Sequence, residues 1–198
     1  MDMSNANISL TLPIAFSDGL YLDPKAARMA GESLAGQYCF AEPYPHIVID
    51  NFLPIELAEE ILANFPHEPT EGDRYSESGY AGLHKRQIFP IDCNGRVREV
   101  FAFLNSSPVL QFLEGLSAID GLIADPYFIG GGLHETRKNG RLGIHADFRI
   151  NEQLHLARRM NMLIYLNKDW QEEYGGHLEI WDRAMSQMCR KIAPIFNR

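Results

Sequence analysis

Four short apolar runs follow one another in the second half of the chain with only brief polar breaks between them: YFIGGGLHET (127–136), RLGIHADFRI (141–150), RRMNMLIYLN (158–167) and GGHLEIW (175–181). The breaks carry turn-forming residues: KNG, the polar stretch from Asn151 to His155, and KDWQEEYGG. Close-spaced runs of this length, each bounded by turn signals, predict strands rather than helices. In MNMLIYL, Asn161, Leu163 and Tyr165 would share one face and Met162, Ile164 and Leu166 the other, because side chains alternate along an extended strand. Both faces are largely apolar, which fits a sheet covered on two sides.

The first half has a different period. Asp23 followed by Pro24 has the form of a helix N-cap with proline at the first position, predicting a helix from Pro24 to about Ala35. A strand over Ile8 to Phe16 precedes it. PHIVIDNFLP reads as a β-branched run leading into PIELAEEILANF, where Ile55, Ala58, Ile61, Leu62 and Phe65 recur at helical spacing. A further helical block from Gly95 to Ala118 is interrupted at Ser106–Pro108, where the proline suits the start of a new helix. Residues Pro66 to Gly82, rich in Gly, Ser, Glu and Pro, form a polar connection with two readings, a flap over a site or an exposed loop. Helices first and strands later predict an α+β fold, a β-sandwich or open barrel with helices on its outer face. At 198 residues, one domain is the expectation.

Charge and cysteine usage narrow the partners. The formal charge of -8 and the scattered basic residues argue against nucleic-acid binding, which needs clustered Lys and Arg against phosphates. Cys39, Cys93 and Cys189 are odd in number and widely spaced, so they read as reduced thiols rather than a disulfide or zinc framework. The N-terminus has neither a basic leader nor a long apolar core, and no window reaches the ~20 apolar residues of a membrane helix. A soluble, cytoplasmic protein with no membrane partner is expected.

His145 and Asp147 lie two residues apart inside the apolar run GRLGIHADF. On a strand they would point the same way, allowing an imidazole nitrogen and a carboxylate oxygen to meet at one cation. With a distant histidine, such a pair forms the facial triad of non-haem Fe(II). The same pair is equally a form of buried His–Asp hydrogen-bonded couple.

The surroundings add a resemblance. The segment Met162 to Asp182, MLIYLNKDWQEEYGGHLEIWD, is similar to the double-stranded β-helix (jelly-roll) core of the 2-oxoglutarate and Fe(II)-dependent dioxygenases, in their prolyl-4-hydroxylase-like branch. The matching features are Tyr165-Leu166-Asn167, Asp169-Trp170, Gly175-Gly176-His177-Leu178 and Trp181, following H-x-D. YPHIVIDNFLP also resembles a segment that opens many such domains, so the likeness spans at least Tyr44 to Arg198.

The resemblance implies a jelly-roll core over 127–198, a helix-rich support over 44–126 and an N-terminal extension over 1–43. It implies His145 and Asp147 as iron ligands and Tyr165 as the residue whose hydroxyl contacts 2-oxoglutarate. It further implies hydroxylation of a C–H bond with Fe(II), O2 and 2-oxoglutarate, with ascorbate as a candidate helper. A peptidyl proline, another protein side chain or a small molecule would be the substrate. In the family a third, distal histidine and a basic anchor for 2-oxoglutarate come after the segment matching Pro194 to Arg198, so the closing strands are expected beyond Arg198. His134 and His177 lie near the expected sheet but not at ligand positions, and Arg198 is not the co-substrate arginine. Arg137, Lys138 and Arg141 read either as a guide for an anionic co-substrate or as a solvated loop. A non-catalytic jelly-roll binding module without a complete metal site is the alternative. A zinc hydrolase is disfavoured, since Glu135 and Glu179 form no H-E-x-x-H pattern.

Overall fold

The computed structural model describes residues 7–76 and 82–198. The Asp23 carboxylate accepts the Ala26 amide at 2.7 Å, satisfying one of the donors a helix start leaves open, and α1 runs from Pro24 to Cys39, past the expected end near Ala35. α2 spans Ile55–Ala63. The Gly95–Ala118 block divides where the SSP break predicts: α3 is Gly95–Leu104, with Asn94 accepting the Val97 amide at 3.0 Å, and α4 is Ser107–Ser117.

α1 and α4 pack backbone to backbone at two glycines. A methyl group at Gly31 would press on the Phe112 carbonyl oxygen, and one at Gly115 would press on the Arg28 carbonyl. Around this crossing sits the main core, with Leu22, Leu34, Phe52, Leu57, Phe112 and Leu116 all buried. The first strand enters that core in parallel: β1 (Ile8–Ser9) pairs with β2 (Ile49–Asp50), and the chain continues extended, with Leu10 N–H donating to Asp50 O and Leu12 N–H to Phe52 O.

The remaining strands form small antiparallel sheets. β3 (Arg74–Ser76), β4 (Leu83–Ile88) and β5 (Leu133–Arg141) lie side by side in that order. β6 (Ile150–Asn151) pairs with β7 (Leu156–Ala157), and β8 (Leu178–Trp181) with β9 (Met188–Ile192). The architecture is mixed α+β.

Two expected strands lack a ladder. Residues 142–149 run without strand pairing, and Leu142, Ile144 and Phe148 are exposed, so the segment is neither regular strand nor buried. Residues 158–167 keep strand alternation without a sheet: Met160, Met162, Ile164 and Leu166 pack on the helical core, while Leu163 is exposed. A ladder needs a neighbour offering backbone groups along its whole length. Residues 158–167 find one at isolated points, at Arg158, whose N–H donates to Arg149 O, and at Tyr165, whose N–H donates to Arg198 O and whose carbonyl accepts from Asn197 N–H.

The C-terminal residues bind the two halves together. Asn197, 1% exposed and at φ 59°, accepts the Leu53 amide on Oδ1 at 2.9 Å and donates from Nδ2 to the Leu53 carbonyl at 2.8 Å. Arg198 grips Asp50 through two bonds, Nε to Oδ1 at 2.6 Å and Nη2 to Oδ2 at 3.1 Å. The base of the Pro66–Gly82 connection is held by Arg86, whose buried guanidinium donates to Asp73, Pro66 O and Glu68 O. Residues 77–81 of that connection lie outside the described residues.

Candidate functional site

His145 and Asp147 project from the extended segment after β5 and converge, with Nε2 of His145 3.5 Å from Oδ1 of Asp147. The imidazole is oriented from behind, because Nδ1 lies 2.7 Å from the Gly143 carbonyl oxygen. A carbonyl only accepts, so Nδ1 carries the hydrogen of this bond, and Nε2 is the ring nitrogen left facing the carboxylate. Backbone support of the far ring nitrogen is the usual arrangement behind a metal-binding histidine. Two donors held at about 2.1 Å on adjacent corners of one octahedral ion stand about 3 Å apart, so a separation of this order admits a shared cation.

The other carboxylate oxygen is engaged. Asp147 Oδ2 forms an ion pair with Arg158 Nη2 at 3.1 Å and accepts from Asn161 Nδ2 at 3.5 Å. The β6–β7 hairpin brings Arg158 there: Ile150 pairs with Ala157, and the Arg158 amide donates to Arg149 O, one step nearer Asp147. The guanidinium also lies over the Phe148 ring, 4.4 Å from its centroid. Sequence reasoning placed Arg158 only at the start of the apolar run RRMNMLIYLN and missed this contact. The available signal was the polar Asn151–His155 break read as a hairpin turn, which sets 149 opposite 158.

Tyr165 is half-buried on the 158–167 run and is the residue clasped by Asn197 and Arg198. Burial raises the pKa of its hydroxyl above the usual tyrosine value, and the Arg198 charge pulls the other way. It therefore stays a phenol that can donate a hydrogen bond to an anionic group near neutral pH. Arg198 itself is committed to Asp50.

Neither spare histidine completes a ligand set. His177 Nε2 lies 3.1 Å from Glu172 Oε2, its ring edge-on to Trp170, and His134 sits on β5 opposite Gln87. Among the described residues no group of three or more His, Cys, Asp or Glu side chains is arranged to hold a metal ion. The donor pair fits a cation, and a third protein ligand is not among them. The three cysteines are free, and among the described residues no helix is long and apolar enough to cross a membrane.

Comparison with known families gives a match in the C-terminal part of the chain. Residues 131–198, about a third of the chain, match the family model of the 2OG-Fe(II) oxygenase superfamily. The matched segment starts just before β5 and takes in His145, Asp147 and Tyr165. The match supports a hydroxylating oxidoreductase of the dioxygenase type, using Fe(II) and 2-oxoglutarate. Neither the curated proteins nor the solved structures gave a match.

Proposed function

We propose that this chain is a 2-oxoglutarate- and Fe(II)-dependent hydroxylase in which His145 Nε2 and Asp147 Oδ1 hold the metal. The observation that carries this reading is their 3.5 Å approach, with the imidazole backed by Gly143 O, inside the segment that matches the oxygenase family. When bound, iron with 2-oxoglutarate and O2 supplies the oxidising power for inserting oxygen into a C–H bond, and the protein's part is binding and orientation. His145 and Asp147 anchor the metal on one side. Asn161 and Arg158 orient the carboxylate, and the Arg158 guanidinium limits its negative charge. Tyr165 donates its hydroxyl hydrogen to a carboxylate of the co-substrate. The finer reading is a jelly-roll core of the prolyl-4-hydroxylase-like kind, with a peptidyl proline as the first substrate class.

The test is succinate release from 2-oxoglutarate with Fe(II), ascorbate and O2, comparing the chain with Asp147→Ala. Succinate from the unaltered chain and its loss in the variant support the site; equal release from both contradicts it.

A second reading is a binding module without catalysis. It is favoured by the ion pair in which Arg158 already neutralises Asp147. Anaerobic Fe(II) titration separates the two, since saturable binding abolished by Asp147→Ala belongs to the enzyme and absence of binding to the module.

A further inference from the structure

The sheet β3–β4–β5 is irregular at one place, and basic side chains collect there. Leu83 pairs with Arg141 and Lys85 with Thr136, so a single β4 residue, His84, faces four β5 residues, 137 to 140. Bulges re-aim side chains and recur beside binding sites. This one takes two residues through left-handed backbone, His84 at φ 50° and Asn139 at φ 64°. It is closed by His84 Nδ1 lying 3.1 Å from Lys138 O, and by Gly140, where a methyl would stand 2.9 Å from Leu83 O. The extra residues form one wall of a cavity of about 400 Å³ lined by Tyr75, His84, Lys85, Arg86, Arg137 and Lys138. That volume is within the range of small-molecule sites.

Among the described residues, Lys85 and Lys138 of this lining have no counter-charge, in a chain whose net charge is -8. Arg86 is neutralised by Asp73 at 2.6 Å, and Glu135 is shared between Arg86 and Arg137 at 3.4 Å each. Arg137 also lies over the Tyr75 ring, 5.8 Å from its centroid. Among the described residues no carboxylate lies within ion-pair distance of Lys85 or Lys138. Lys85 is half-buried on the central strand, where leaving a charge unpaired is costly. Its burial depresses the ammonium pKa, as expected of a cation without a counter-ion.

We propose that this cavity binds a small ligand through a multiply charged oxyanion, with Lys85 and Lys138 supplying the charge and Arg137 a further donor. A phosphate monoester and a compact dicarboxylate share that chemistry. The site is separate from His145 and Asp147 and depends neither on iron nor on the hydroxylase reading.

The experiment is equilibrium binding of inorganic phosphate and, separately, malonate to the metal-free full chain at low ionic strength. The unaltered protein, Lys85→Met, Lys138→Met and Asp147→Ala are compared, each with its circular dichroism spectrum. Saturable binding of phosphate alone assigns a phosphate ligand, binding of malonate alone a dicarboxylate, and binding of both either source. Each lysine variant should weaken binding by about tenfold or more, the loss of one charge-assisted hydrogen bond. Because Lys138 lies on the exposed bulge, its variant keeps the test valid if Lys85→Met fails to fold. Asp147→Ala should bind as the unaltered chain does. The inference is overturned by absence of saturable binding for both anions, by undiminished binding in Lys138→Met, or by loss of binding in Asp147→Ala.

Discussion

Asn197 performs with one side chain what a sheet neighbour does with its backbone. Its amide serves both polar groups of Leu53, and its own backbone joins Phe52 to Tyr165. Replacing it by alanine strands two backbone groups in the core and removes the side chain best suited to φ 59°. Asn197→Ala should cost about 2–4 kcal/mol in urea unfolding, with faster hydrogen exchange at the Leu53 and Tyr165 amides. Arg86 and Asp73 form a second buried contact, with both side chains fully covered. Burial alone would raise the Asp73 pKa, but hydrogen bonds from Thr70 and Arg86 and the Arg86 charge hold it below the ordinary carboxylate value. A depressed folded-state pKa contributes stability that is complete above the unfolded-state pKa of about 3.9 and is lost as pH falls through the folded value. The acid limb of a stability-against-pH curve should therefore flatten in Asp73→Ala. That variant should also lose about 3 kcal/mol at neutral pH, because Arg86 stays buried without its nearest anion, with only Glu135 at 3.4 Å left to it.

At the scale of elements, one substitution in one helix separates two causes. Gly31→Ala and Gly36→Ala both gain helix propensity, worth about 1 kcal/mol at most. At Gly36 nothing stands within 4 Å of the added methyl, so thermal unfolding should move upward. At Gly31 the methyl meets the backbone of α4, which cannot yield as a side chain would. Overpacking by about 3 kcal/mol wins there, and the melting temperature should fall. Helix starts were legible because capping is local: Asp23 and Pro108 act within one turn of their own positions. The strands over 142–149 and 158–167 were misread as ladder members because alternation reports which side chains are covered. It does not report whether a backbone neighbour exists. The β6–β7 hairpin escaped notice because its turn lacks the Asn-Gly or Asp-Gly signal.

For the whole molecule, the candidate site brings together residues from the segment after β5, the hairpin return and the run held by the C-terminus. Its electrostatics are tested by Arg158→Met, which frees Asp147 Oδ2 of its strongest partner. If Asp147 holds a cation, this change should tighten anaerobic Fe(II) binding, since one competing positive charge is removed. Weaker binding would mean that Arg158 positions the carboxylate more than it competes for it. The two-residue spacing of His145 and Asp147, the phase of the helices and the apolar alternation around Tyr165 all follow from residue order, because each depends on geometry within a few residues. Only the tertiary structure decided that Arg158 faces Asp147, that Arg198 serves Asp50 and that Lys85 and Lys138 line a cavity at a bulge. Those contacts join residues brought together by hairpin register, bulge and chain return, and residue types alone do not state which backbone will lie beside which.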